Sequence, residues 1–218
     1  MEFVVARPTE REAVLEVRST EAVWEGKTAV LSTIRDVTER TRLQRELGDM
    51  AFKDEMTGLF NRRGFVRLAG QELARAGHNL QKATLFYCDL DELKWINDNL
   101  GHAAGDQAIS ETAQVLRKAF RQSDVIARLG GDEFCVLAVG AGEEQAHVLG
   151  ERVEAAACAF NQDPARLIPL SISIGWVTCR HDDRRTVEEL MHDADAVMYE
   201  VKKARKAQSG DRTQRRNG

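Results

Sequence analysis

Apolar and polar positions alternate with two different periods along this chain, and the change of period divides it. In AVLEVRSTEAVWEGKTAVLSTIRDV the apolar residues form two short runs. Val14, Leu15 and Val17 lie in the first, Val30, Leu31 and Ile34 in the second, with Glu25-Gly26-Lys27 between them. That pattern predicts a β-rich piece over 1–40, two strands joined by a turn. A single hairpin buries too little apolar surface to stand alone, so it either packs on something or belongs to a larger domain. In TERTRLQRELGDMAFKDEM, residues Leu43, Leu47, Met50 and Ala51 recur at helical spacing among charges, which predicts an amphipathic connector over 41–53. It is either a helix packed on its own domain or a two-chain coiled-coil stalk, and there are too few heptads to separate the two.

From Asp54 to 206 helical and strand periods take turns. FVRLAGQELARA predicts a helix with Phe65, Leu68, Ala69 and Leu73 on one side, and TLFYCDLD a buried strand. DQAISETAQVLRKAF predicts a helix with Ile109, Ala113, Leu116 and Phe120 inward. DVIARL and FCVLAV are two strands joined by GGDE. EEQAHVLGERVEAAACAF predicts a helix and PLSISIGWVTC a strand. TVEELMHDADAVMYEVKKA predicts a last helix carrying Val187, Leu190, Met191, Ala194, Val197 and Met198. The order is βαββαβ with an added leading and trailing helix. It predicts an α+β domain of the ferredoxin-like, nucleotide-cyclase-like kind, an antiparallel-rich sheet with helices on one face. The last stretch, AQSGDRTQRRNG, predicts a disordered tail over 207–218.

Composition adds exclusions. Of 218 residues, 43% are apolar and 30% charged, the profile of a soluble globular protein. No apolar run reaches the ~18–20 residues of a membrane span, and the N-terminus lacks the pattern of a signal peptide. A net charge of −4 gives no support for wholesale nucleic-acid binding. The four cysteines, Cys88, Cys135, Cys158 and Cys179, form no C-x-x-C pair, so buried, reduced thiols in a cytoplasmic protein are expected.

The chemistry concentrates at RLGGDEF, residues 128–134. Gly130 and Gly131 can take the positive φ that a tight hairpin turn needs, and two carboxylates follow at once. A second acidic cluster, Asp89 and Asp91, ends the first core strand. In a sheet of this order that strand neighbours the hairpin, so Asp89, Asp132 and Glu133 converge at one edge. Carboxylates crowded together raise one another's pKa and cost stability unless a cation joins them. Hard oxygen ligands favour Mg²⁺, which usually shares its sphere with substrate phosphates. Glycines beside such a site leave room for a phosphate to lie against backbone N–H groups.

The motifs here resemble those of GGDEF domains, the diguanylate cyclases. RLGGDEF is similar to the signature that names them. DEMTGLFNRRGF (54–65) resembles their opening D-x-L-T-G-L-x-N-R-R segment, with Met56 for the usual Leu. FYCDLDELKWINDNLGHAAGDQAI (86–109) is similar to F-x-D-x-D-x-F-K-x-I-N-D-x-x-G-H-x-x-G-D, with Leu93 where Phe is common. SISIGWV (171–177) and DADAVMYEVKK (193–203) resemble the closing strand and helix, so the likeness spans roughly 52–206. Upstream, EVRSTEAVWEGKTAVLSTIRDVTER resembles the last strands of a PAS sensor domain, without that family's ligand-binding half.

The resemblance implies an activity. Two GTP molecules, one on each subunit of a homodimer, would condense to cyclic di-GMP with loss of pyrophosphate. Each 3′-hydroxyl would attack the other's α-phosphate in line, so the protein mainly positions groups and neutralises charge. Carried over, Asp89 and Asp132, with the Leu90 carbonyl, would bind two Mg²⁺, with Mn²⁺ as a substitute. Glu133 would assist with metal or charge, or serve as general base near the hydroxyl. Gly130 and Gly131 would pass the nucleotide close to the main chain, and Lys94 would contact the terminal phosphates. Asn97 and Asp106 would read guanine, whose N1–H and N2–H₂ edge a carboxylate can accept. Lys202 would be a further phosphate ligand. Here the sequence departs from the family: the usual A-K-x-x-G-R-N-R reads VKKARKAQ, Lys206 stands where Arg is common, and loss of the Gly-Arg-Asn turn leaves the helix free to run on. Lysine supplies a point charge in place of a bidentate fork. RQSD, Arg121 to Asp124, matches the family's R-x-x-D product-inhibition site at the usual five-residue separation from GGDEF, and Arg152 would join it from a second subunit. Two other readings stay open: a non-catalytic module that binds GTP or cyclic di-GMP, and a cyclase with a different product.

Overall fold

The computed structural model describes residues 2–6, 12–41, 52–162 and 169–216, with backbone alone at 2–6, 12, 24 and 206–216. The chain forms two compact units, 1–51 and 52–218.

In the first unit, β2 (Glu12–Trp24) and β3 (Lys27–Asp36) pair along their length, and β1 (Glu2–Ala6) pairs with the start of β2, all antiparallel in the order β1-β2-β3. The turn predicted at Glu25-Gly26-Lys27 is present. Glu25 and Gly26 take φ of 50° and 77°, the consecutive left-handed pair that a two-residue hairpin turn requires. Strand β1 was not predicted. Val30, Leu31 and Ile34 are 67%, 65% and 65% exposed, so the apolar positions that announced β3 are not a core within this unit. A helical turn begins at Thr38, where Thr41 N–H donates to the Val37 carbonyl (2.9 Å). Nearly all of the connector predicted over 41–53 lies outside the described residues.

The second unit runs α1 (Arg62–His78), β4 (Ala83–Leu90), α2 (Leu93–Leu100), α3 (His102–Ala119), β5 (Val125–Gly130), β6 (Glu133–Val139), α4 (Glu143–Asn161), β7 (Ile172–Cys179), α5 (Val187–Arg216). The strand order is β5-β6-β4-β7, antiparallel throughout, which is the split βαβ arrangement expected. The expectation of helices on one face is corrected. All eight residues of β4 are buried, which requires cover on both sides of the sheet. One core packs Phe86, Leu90, Phe134 and Val136 against α2, α3 and α4. The other packs Leu85, Tyr87, Cys135 and Leu137 against α1 and α5, the leading and trailing helices.

The helical faces fall mostly as read. Ile109, Ala113, Leu116 and Phe120 are buried, as are Val187, Leu190, Met191, Ala194 and Met198, whereas Val197 is 42% exposed on the outer side of α5. Cys88, Cys135 and Cys179 are buried and free, while Cys158 on α4 is exposed. α1 is capped by Asn61, whose Oδ1 accepts from Gly64 N–H (2.9 Å). α5 opens with a reciprocal box, Glu189 N–H on Thr186 Oγ1 and Thr186 N–H on Glu189 Oε2. With no glycine turn to stop it at 206, α5 continues in backbone to Arg216, so 207–216 are helical where a disordered tail was expected.

Candidate active site

Two strand ends build the acidic edge. β4 finishes at Leu90, and β5 and β6 meet in the turn Gly131-Asp132, so Asp89 lies directly across the ladder from Glu133. Leu90 N–H donates to the Asp132 carbonyl (2.9 Å), which ties the end of β4 to the turn. The glycines have a local reason: φ is 151° at Gly130 and 54° at Gly131, conformations that side chains disfavour. A Cβ at either would meet nothing within 4 Å, so the space beside the turn is open.

Asp89 is 8% exposed. Burial pushes its carboxyl above the usual range and the charges of Asp132 and Asp91 add to this, while the Lys202 ammonium, hydrogen-bonded to Asp89 Oδ1, pulls it down. Burial alone would lower the Lys202 ammonium, but Asp89, Asp91 and Asp132 outweigh it and hold it above its usual value. Lys202 therefore reaches this edge from α5. A pocket of about 410 Å³ opens here, lined by Asp89, Glu133, Asp195, Tyr199, Lys202 and Lys203. Asp91 is turned aside, its two oxygens accepting from Ser171 Oγ (2.7 Å) and Ser173 Oγ (2.8 Å). Among the described residues no group of three or more His, Cys, Asp or Glu is arranged to hold a metal ion. Two carboxylates and a main-chain carbonyl still fit Mg²⁺, which commonly takes one or two carboxylates and completes its sphere with water and phosphate.

The expected base-reading residues sit on the other core's side. Asn97 on α2 packs against Gly105 on α3 so closely that a Cβ there would meet Asn97 Oδ1 at 2.0 Å, and Asp106 follows, exposed. Lys94 is exposed in the first turn of α2. The side chain of Lys206 lies outside the described residues.

At the far end of the sheet Arg121, Asp124 and Arg152 come together. They line a pocket of about 290 Å³ with Val139, Glu144 and Val148. Arg121 N–H donates to Asp124 Oδ2 (2.8 Å). Burial pushes the Asp124 carboxyl up, against the lowering by that bond and by the Arg121 and Arg152 charges. Arg152 lines this pocket from α4 of the same chain.

Sequence reasoning passed over Arg128. Its Nε and Nη2 donate to the Gly131 carbonyl (3.0 and 2.9 Å), and its Nη1 reaches the Asp54 carboxylate (3.3 Å). Asp54 also accepts from Thr57 N–H and Thr57 Oγ1 (2.9 and 2.7 Å), so the 54–59 turn braces the diglycine bend. An arginine two residues before paired glycines was the available signal.

The family described as "Diguanylate cyclase, GGDEF domain" matches residues 51–208. "Probable diguanylate cyclase DgcE" of Escherichia coli is 35% identical over 170 residues, covering 78% of this chain and 15% of that protein. "Cyclic di-GMP phosphodiesterase NbdA" of Pseudomonas aeruginosa is 35% identical over 156 residues, 72% of this chain and 20% of that protein. The chain thus spans a fifth or less of the length of these two relatives. The solved GGDEF domain of TpbB (YfiN) from Pseudomonas aeruginosa superposes with a TM-score of 0.63 at 33% identity, covering 70% of this chain and 89% of that one.

Proposed function

The chain belongs to the diguanylate cyclase GGDEF domain family, and from that premise we propose that it condenses two GTP into cyclic di-GMP with release of pyrophosphate, as a homodimer. The observation that carries the reading is the edge where Asp89 and Glu133 face each other across the ladder beside the open diglycine turn. In-line transfer needs groups held still around a phosphorus more than it needs covalent help from the protein.

Each residue then has a task. Asp89, Asp132 and the Leu90 carbonyl would hold two Mg²⁺, or Mn²⁺, which when bound polarise the α-phosphate and lower the pKa of the attacking 3′-hydroxyl. Gly130 and Gly131 admit the phosphates to the main chain. Lys202, already at the edge, and Lys94 meet the outer phosphates, with Lys206 as a further cation. Asn97 and Asp106 accept the guanine edge; adenine would leave Asp106 unpaired, a loss of ~1–3 kcal/mol or more. Glu133, beside Asp89, carries charge or takes the hydroxyl proton as pyrophosphate leaves.

Product control belongs to the pocket of Arg121, Asp124 and Arg152. Arg121 forks onto a phosphate or guanine edge, Asp124 accepts from guanine, and Arg152 contributes from its own chain. This pocket also favours the second reading, a cyclic di-GMP sensor without turnover. The preceding PAS-like strands would set the dimer, in a cytoplasmic protein; among the described residues no helix is long and apolar enough to cross a membrane.

Incubation of the purified chain with GTP and Mg²⁺, followed by mass spectrometry, tests this. Cyclic di-GMP and pyrophosphate are expected. Tight cyclic di-GMP binding with no product would establish the sensor reading instead, and another nucleotide product would refute the guanine assignment.

A further inference from the structure

In VKKARKAQ, Arg205 stands where the family pattern A-K-x-x-G-R-N-R has its glycine, and that side chain has no role in the reading so far. α5 packs on the sheet through Val187, Leu190, Met191, Ala194 and Met198. Among the described residues Met198 is the last buried side chain of this helix, and Lys202 lies about one turn beyond it. Arg205 follows Met198 at a spacing of about two turns, so it continues the same face of α5 where the apolar stripe ends.

There the guanidinium reaches two other elements. Its Nη1 donates to the Ile172 carbonyl at the start of β7 (2.9 Å), and its Nη2 donates to Glu154 Oε1 on α4. β7 ends the strand order among the described residues, so its outer side has no ladder partner. α4 and α5 belong to opposite cores, and Arg205 joins the two helical layers around that edge. The two contacts are unequal. The Arg205 and Glu154 side chains are 41% and 55% exposed, so water screens their ion pair, and the carbonyl bond is the firmer hold. A planar guanidinium offers both arms in a fixed fork, which an ammonium lacks. Lys202 therefore lies between two anchored points. At the first, Gly175 of β7 lets α5 approach so closely that a Cβ there would meet Met198 N at 2.1 Å. At the second, Arg205 holds the Ile172 carbonyl. From Met198 to Arg205 the helix rises about 10.5 Å, and from Gly175 to Ile172 the strand spans about 10 Å, so the two keep step. Asp89, which accepts from Lys202, pairs with Ser173 inside the same interval.

We propose that Arg205 is a positioning residue for the triphosphate end of the site: it fastens α5 to the start of β7 and to α4, and so keeps the Lys202 ammonium at the acidic edge. The inference rests on the cyclase reading above for its kinetic consequence, and on the bonds of Arg205 for its structural one. Without the second anchor Lys202 would stand on a helix end held only at Met198, and the entropy of ordering that end would oppose each encounter with GTP.

The test uses the whole chain as wild type, Arg205→Ala, Arg205→Lys, Lys202→Ala and the double variant of Lys202→Ala with Arg205→Ala. Amide hydrogen exchange read by mass spectrometry reports on the anchor itself. In Arg205→Ala, exchange from Tyr199 to Arg205 is expected to quicken about 10-fold or more, while that from Val187 to Met198 stays within about twofold of wild type. Steady-state kinetics reports on the consequence. KM for GTP should rise about 10-fold in Arg205→Ala, with kcat changed less and the melting midpoint within a few degrees. Arg205→Lys should recover only part of the loss. In the Lys202→Ala background the same substitution should cost little, because Arg205 acts through that lysine, whereas a purely stabilising role would leave the loss undiminished. Unchanged exchange at the end of α5, a wild-type KM in Arg205→Ala, or an undiminished loss in the double variant would overturn the proposal. If the wild type makes no product, the cyclase reading fails separately, and the exchange arm alone decides whether Arg205 holds this part of α5.

Discussion

The two ends of β6 have opposite chemistry. At its start, Glu133 joins Asp89 and Asp132 around one basic contact of Asp89, Lys202. At its finish, Val139 borders a pocket where Arg121 and Arg152 meet the half-buried Asp124, with Glu144 also in the lining. The ends are six residues apart, roughly 20 Å along an extended strand. Burial pushes the carboxyl of Asp89 and of Asp124 in the same direction, but the neighbours differ in sign. Crowded acids at the first end favour a divalent cation with the phosphates it carries. The two guanidinium groups at the second, beside Asp124, suit a ligand that brings both anionic oxygens and hydrogen-bond donors. In the function proposed above, one strand thus separates the triphosphate-and-metal end from the product end.

The strongest way to break that contrast is to remove a charge from the first end alone. Asp132→Ala should lower turnover by at least ~10²–10³-fold, the order lost when one preorganised electrostatic group leaves a reacting site. Cyclic di-GMP binding by calorimetry should be unchanged, and so should the circular dichroism spectrum. Loss of binding at the far pocket as well would mean that the two ends are one site. The reverse experiment is smaller. Arg121→Ala should weaken cyclic di-GMP by ~10–100-fold, the equivalent of a lost charged hydrogen bond of ~1.5–3 kcal/mol, with an unaltered initial rate. Inhibition by accumulated product as strong as in the wild type would remove Arg121 from the second end.

How much of this was legible beforehand differs between the ends for a physical reason. The acidic edge was legible because glycines at φ 151° and 54° have few substitutes and because Asp89 is the first acid after a run of buried residues. Asp124 and Arg121 were legible as a local tetrapeptide, but Arg152 could be placed in the same chain's pocket only once α4 was docked on the sheet. The second helical layer was within reach, since an unbroken apolar run such as TLFYC implies burial from both faces. Strand β1 was not, because its pairing with β2 depends on register and not on any pattern within five residues. The same holds for Arg128, whose partners Asp54 and Gly131 lie 74 and 3 residues away.

That arginine sharpens the contrast further, because it places one cation at the acidic end that is already committed. Burial alone would raise the Asp54 carboxyl, but the Thr57 hydroxyl and N–H bonds and the Arg128 charge outweigh it and hold the group below its usual range. A carboxyl depressed in the folded state contributes stability above the unfolded pKa of ~3.9, and that contribution is lost as pH falls through the lower folded value. Asp54→Asn should therefore cost ~1–2 kcal/mol in urea melts near pH 7, the worth of the hydrogen bonds it weakens, and the gap from wild type should close toward pH 3 and below. Arg128 would keep its bonds to the Gly131 carbonyl, so turnover should fall less than in Asp132→Ala. A stability gap that stays constant from pH 7 to pH 3 would show that the brace owes nothing to the Asp54 charge, and that the acidic end is held in shape by the ladder between β4 and β6 alone.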